Sequence, residues 1–200
     1  MLRVGLTGGI GTGKSYVLDH LRARGIACLD ADAIAHGVLA AGTEATDAVA
    51  ARFGDDVLAA DGSVNRAKLG PLVFADAAAR RDLEAIVHPA VYRSITAGLR
   101  AFELLGEHRL VVAAVPLLFE TGHAKDFDRV IATVCAPPLQ LTRLIERGLG
   151  EGEARQRIEA QLPAEEKAAR SDFVIRTDGS FVDTDRQIDS ILSVLVARRS

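Results

Sequence analysis

Gly8-Gly9-Ile10-Gly11-Thr12-Gly13-Lys14-Ser15 follows the apolar run Leu2, Val4, Leu6 and precedes a helical pattern from Lys14 to about Arg24. The stretch spells GxxxxGK[ST] between a strand and a helix, which is the context such a motif needs to cradle phosphate. Its four glycines let the backbone curl so that successive N–H groups, from about Gly11 to Ser15, face phosphate oxygens. Lys14 can neutralise β- and γ-phosphate charge, the Ser15 hydroxyl can ligate Mg²⁺, and the helix adds its positive dipole end. An ordinary glycine-rich turn would not require the Lys14-Ser15 pair. Residues Gly9, Ile10, Gly11, Thr12, Gly13, Lys14, Ser15 and Tyr16 are therefore the candidate nucleotide-binding stretch.

Outward from this loop, apolar runs alternate with helical patterns. Strands are expected at Leu2–Leu6, Ile26–Leu29 after the stop signal Gly25, Arg109–Val115, Arg129–Cys135 and Phe173–Ile175. Continuous apolar strands of this kind are covered on both faces, so the expected fold is α/β with a five-stranded parallel sheet flanked by helices. Between the second and third strands the patterns are helical: Ala33–Leu39, Glu44–Phe53, Arg66–Phe74, Ala77–Ile86 and Ala90–Leu105, with His88-Pro89 at a helix-to-helix junction. This reads as a helical insertion, about 33–108, near the sheet edge where a second substrate would bind. A second helical, arginine-rich stretch, about 139–170, is interrupted by Gly148, Gly150 and Pro163 and reads as a hinged lid. The core is then about 1–32, 109–138 and 171–200, all within a single domain, with a terminal amphipathic helix carrying Ile188, Ile191, Leu192 and Leu195 on one face.

Composition narrows the function. The 200 residues carry a net charge of −3, which disfavours a polymeric nucleic-acid partner. No apolar run approaches the roughly 18 residues needed to cross a bilayer, and the first strand begins at once, leaving no room for a signal peptide. A soluble cytoplasmic protein without a membrane partner is expected, a monomer or weak homo-oligomer. Cys28 and Cys135 fall within or at the end of apolar strands, where a thiol packs as a small hydrophobe.

Phosphoryl transfer asks for position and positive charge. Asp30-Ala31-Asp32 closes the second strand, which in a parallel sheet is expected beside the phosphate loop; Asp32 can take a proton from an acceptor hydroxyl, and Asp30 can support Mg²⁺. Either also suits capping a helix at Ala33. Arg143 and Arg147 lie four apart on one helical face and can reach one anion, although Arg147 also has Glu146 and Glu151 as neighbours. Pro116-Leu117-Leu118-Phe119-Glu120, past the third strand, is core by composition and pocket wall by location. His88 is a cap, a packed ring or a ligand contact.

Together these segments resemble the dephospho-coenzyme A kinase family. The resemblance rests on Leu6–Ser15, Asp30-Ala31-Asp32, Ala59-Ala60-Asp61-Gly62, His88-Pro89, Val115–Glu120, Gln140 with Arg143 and Arg147, and Arg157-Ile158 with Gln161-Leu162-Pro163, in that order along nearly the whole chain. It implies a P-loop kinase with a helical acceptor-binding insertion and a lid. The implied reaction moves the ATP γ-phosphoryl, with Mg²⁺, to the ribose 3′-hydroxyl of dephospho-coenzyme A, the last step of coenzyme A biosynthesis. By the same resemblance Asp32 is the base and Arg143 a γ-phosphate contact, with Lys14 also catalytic. Asp32, His88, Leu117, Leu118, Phe119 and Glu120 are on the acceptor side, with Arg147 on the nucleotide. The chain departs from the family at Tyr16, where a Thr is usual, at Ala114-Val115, where an acidic residue is common, and at Arg176-Thr177-Asp178-Gly179, which lacks the usual Asn, leaving adenine to backbone groups. A nucleoside, nucleotide or shikimate-type kinase, and a non-catalytic nucleotide sensor, share the loop; a GTPase would need an Asn-Lys-x-Asp signature that the chain lacks.

Overall fold

The computed structural model describes residues 1–197 and divides the chain into two compact units. The first holds residues 1–30 and the chain from 101 onward; the second holds residues 31–100. Five parallel strands form the first unit's sheet: β1 (Leu2–Gly8), β2 (Ala27–Asp30), β3 (Leu110–Ala114), β4 (Arg129–Val134) and β5 (Phe173–Arg176). Their spatial order is β2-β3-β1-β4-β5.

Helix α1 (Lys14–Ala23) lays Val17, Leu18 and Leu21 on Val4 and Leu6, and α9 (Phe181–Ala197) closes the same face with Ile188 and Leu195. Ile191 and Leu192 pack against that cluster, on the apolar face expected from their spacing. On a second cluster, α8 (Ala164–Ala169) sets Ala168 against Ala132 and Val134 of β4. Before it come α6 (Pro137–Glu146) and α7 (Glu151–Glu159). Small residues on α8 let that short helix lie close to the strands.

The second unit is helical: α2 (Ala31–Val38), α3 (Glu44–Phe53), α4 (Arg66–Ala75) and most of α5 (Ala77–Leu105). Its core gathers Leu39, Val49, Val57, Val64, Leu69 and Ala90. Thr43 caps α3 by accepting from the Thr46 amide, and Asn65 caps α4 by accepting from Ala67 and Lys68.

Three expectations are corrected. First, β2 pairs with β3 and not with β1, so the carboxyl end of β2 is two strands from the phosphate loop. Leu6, Ala114 and Asp30 share a register row, which at the usual strand spacing spans roughly 10 Å. Second, Pro89 does not separate two helices: α5 runs unbroken for 29 residues with Pro89 inside it. A proline there removes one ladder bond and costs about 3 kcal/mol, but Ala79, Ala90, Val91, Ile95 and Leu99 are buried on both sides of it and hold the helix together. Third, the helix after β2 begins at Ala31 and not at Ala33, so Asp32 lies within its first turn. No helix among the described residues is long and apolar enough to cross a membrane.

Candidate functional site

The loop between β1 and α1 is wedged against β4. A Cβ at Gly8 would stand 2.1 Å from Thr133 Oγ1 and 2.6 Å from Thr12 Oγ1, so only glycine permits the approach. Gly13 turns the chain into α1 at φ 87°, a left-handed conformation that side chains resist. Thr12 is buried; its hydroxyl donates to the Gly9 carbonyl at 2.7 Å and shares a 2.8 Å hydrogen bond with Thr133. Two glutamines hold Ile10 from outside the loop: its amide donates to Gln161 Oε1 at 2.9 Å, and its carbonyl accepts from Gln140 Nε2. The loop is thus braced from below and from the 139–170 stretch. The first amides of a helix have no intrahelical carbonyl to donate to, and such a helix start suits an anion.

Arg143 sits on α6 with its guanidinium donating to the Gly11 carbonyl at 3.2 Å, to Thr177 Oγ1 at 2.9 Å and to the Thr177 carbonyl at 2.6 Å. Thr177 Oγ1 in turn donates to the Thr12 carbonyl at 2.9 Å. These bonds tie the loop, α6 and the segment after β5 into one piece. Arg147 ends α6 and is exposed. Tyr16 follows Ser15 on α1; its ring stacks on His20 and Phe181, with centroids 4.0 and 4.8 Å away, and its hydroxyl donates to Asp185 at 3.1 Å. Burial pushes the Cys28 thiol up to about 11 and raises that of Cys135, so both stay protonated near neutral pH.

Past β3 the chain turns at Pro116. Leu118 is wholly buried beneath β1, where a Cβ on Gly5 would meet it at 2.9 Å, and Phe119 is buried with the Arg170 guanidinium 4.4 Å over its ring. Leu117 is half-buried. Glu120 accepts from the Leu162 amide at 3.0 Å and from Lys167 Nζ at 2.7 Å. Lys167, on α8, has no exposed surface; its ammonium also donates to the Pro116 carbonyl at 2.6 Å, which Thr7 Oγ1 reaches at 3.1 Å. Desolvation lowers its pKa, the Glu120 contact opposes that, and the nearby Lys14 charge adds to the lowering. Sequence reasoning missed Lys167 and gave Gln140 and Gln161 no role. Ala-Glu-Glu-Lys-Ala-Ala reads as a solvated helix, and no local signal marks the lysine as buried.

Asp30 closes β2 with Arg22 Nη2 at 3.9 Å. Asp32 is exposed in the first turn of α2, and His88 lines a cavity of about 270 Å³ in the helical unit with Leu39, Arg66, Leu69, Leu83 and Val87. The first unit therefore brings together the loop, Lys14, Ser15, Tyr16, Arg143 and the Leu117–Glu120 turn. Asp32 and His88 belong to the second unit.

The sequence profile of the dephospho-CoA kinase family matches residues 2–183. The chain belongs to the dephospho-CoA kinase family. A dephospho-CoA kinase of Cutibacterium acnes is 44% identical over 197 residues, covering 96% of this chain and 84% of that one. Among solved structures, TT1252 from Thermus thermophilus has a TM-score of 0.79 at 33% identity, covering 97% of both chains. The dephospho-CoA kinase from Campylobacter jejuni has a TM-score of 0.71 at 25% identity over 96% of this chain and 95% of that one. Membership in the family makes the chain a kinase, on the parallel P-loop kinase fold described above.

Proposed function

We propose that this chain transfers the γ-phosphoryl group of ATP to the ribose 3′-hydroxyl of dephospho-coenzyme A. The observation that carries the reading is a braced phosphate cradle, Gly8 to Ser15, in a chain whose family match spans residues 2–183. In this reading residues about 33–108 hold the acceptor, about 139–170 form the lid, and the rest is the core.

The amides from Gly11 to Ser15 hold the phosphates in a fixed frame, and Lys14 sets its charge against the β- and γ-oxygens. Asp32 accepts the proton of the attacking hydroxyl, which raises the nucleophilicity of the oxygen as it approaches phosphorus in line. Arg147, exposed at the end of α6, contacts the nucleotide phosphates in this reading. Arg143 meets the nucleotide through donors not already engaged by Gly11 and Thr177. Leu117, Glu120 and His88 shape the acceptor side, while Leu118 and Phe119 support it from the core. Thr177 and Asp178 lie where the family's usual Asn is missing, so adenine is read by backbone groups there. The oxygens of Ser15 and Asp30 are hard donors of the kind Mg²⁺ takes, and the ion, when bound, offsets phosphate charge.

Purified protein with Mg-ATP and a panel of dephospho-coenzyme A, nucleosides and shikimate tests the reading by product mass. Only dephospho-coenzyme A should gain a phosphoryl group at a high rate; preference for another acceptor would overturn the assignment. Asp32→Asn should lower kcat by roughly 10²- to 10⁴-fold with ATP affinity retained, and full activity in that variant would remove Asp32 from the base role.

A further inference from the structure

We propose that Lys167 and Gln161 are positioning residues for phosphoryl transfer, holding the phosphate loop in register with the turn that follows β3. This rests on the kinase reading above for the meaning of the two sides, but its geometry stands in the first unit alone.

Three short stretches meet at this point. The segment Gln161–Lys167 reaches the phosphate loop through Gln161 Oε1 and the Ile10 amide, 2.9 Å apart. It reaches the turn after β3 through the Leu162 amide and Lys167 Nζ, both on Glu120 Oε1, at 3.0 and 2.7 Å. It reaches the base of the loop through the Pro116 carbonyl, which accepts from Lys167 Nζ and from Thr7 Oγ1 together. Thr7 is one residue before the first loop glycine. A fully buried ammonium is costly to place on a surface helix, and here it is satisfied by two groups of one other segment, the Pro116 carbonyl and the Glu120 carboxylate. A lysine that served solubility would lie outside; this one reaches from α8 to the turn that follows β3.

The consequence concerns preorganisation. Ile10 adjoins the amides that face phosphate, and with both its amide and its carbonyl held by glutamines the loop does not need to be ordered when nucleotide arrives. Glu120 is fixed in the same stroke, so donor and acceptor sides keep one spacing. A small misplacement between reacting groups is enough to lower turnover substantially.

The test uses the full chain with Gln161→Leu, Glu120→Gln and Lys167→Met, reading thermal midpoint, ATP binding by calorimetry, and kcat per nucleotide-binding molecule with saturating substrates. Gln161→Leu lies on a half-exposed turn and should melt within a few degrees of the parent. It should weaken ATP binding about fivefold and lower kcat about tenfold. Glu120→Gln should lower kcat by a similar factor with ATP binding nearly unchanged, since Glu120 contacts Leu162 and Lys167 and makes no hydrogen bond to the phosphate loop. Lys167→Met should show both losses; if it does not fold, the other two variants decide. A merely structural role would lower the midpoint and leave both constants within twofold per folded molecule, and that result in Gln161→Leu and Glu120→Gln would overturn the proposal. Because ATP binding is read without acceptor, failure of the parent to phosphorylate dephospho-coenzyme A would sink the kinase reading separately, and an unchanged ATP affinity in Gln161→Leu would sink this one.

Discussion

Replacing Lys167 by Met removes the buried charge while keeping an unbranched, apolar chain of similar length. Lys167 has no exposed surface and the Glu120 side chain is 21% exposed, so the pair is buried on the lysine side and reaches water on the glutamate side. Removing one partner of a buried pair costs about 3–5 kcal/mol, because the remaining charge is stranded. Here Glu120 keeps the Leu162 amide and some water, which places the loss near the lower end, about 3 kcal/mol. The double variant Lys167→Met with Glu120→Gln strands no charge and should recover about half of that. The pH dependence has a definite sign. Burial holds the Lys167 pKa below its usual 10.5, so between that lowered value and 10.5 the unfolded chain binds more protons than the native one. Stability of the parent relative to Lys167→Met should therefore rise with pH through that window and be flat below it. Urea unfolding of the four proteins of the cycle, at neutral pH and across the alkaline range, measures both effects. A loss under about 1 kcal/mol in the single variant, or a coupling near zero in the cycle, would refute the buried pair as a stabilising contact.

Gly8→Ala should abolish measurable ATP binding and cost roughly 2–4 kcal/mol of stability, because the new methyl must push apart the Thr12–Thr133 hydroxyl pair; calorimetry and denaturation check it, and near-parental ATP affinity would contradict the close approach. Cys28 in the native protein should alkylate about a hundredfold more slowly at pH 8 than in the unfolded chain, since its thiol is pushed from 9.0 up to about 11; equal rates in mass-spectrometric labelling would show the thiol is not shielded. Pro89→Ala should stabilise the protein by about 1–3 kcal/mol by restoring a ladder bond to α5, seen as a higher thermal midpoint; a lower one would mean that the proline shape is itself used in packing.

What was legible in the sequence follows from the range of the physics involved. The phosphate loop is legible because its chemistry is local: glycines at fixed offsets, then Lys14 and Ser15, need no distant partner to be recognised. The strands are legible because each buries both faces and so reads as a short apolar run. Their order is a different matter. Nothing in Ala27–Asp30 says that β3, more than seventy residues later in the chain, will lie between it and β1, so Asp30 was expected one strand too near the loop. Pro89 misled for a related reason: its local preference to end a helix is about 3 kcal/mol, and the buried residues on both sides of it outweigh that only once the tertiary fold exists.

The brace around the loop is the least legible part, and its invisibility has one cause. Lys167, Gln140 and Gln161 are residue types that ordinarily face water, so composition assigns them to the surface. Each gains its role only by meeting a backbone group or carboxylate from far along the chain: Ile10 for the glutamines, Pro116 and Glu120 for the lysine. A phosphate loop can be recognised from eight residues, but its rigidity cannot, because the groups that hold it still are supplied by segments that carry no chemistry of their own. Rigidity in such a cradle is therefore better sought among buried polar side chains around the motif than within it. In this chain that search leads to α8, a helix of six residues that the sequence marks only as the end of a lid.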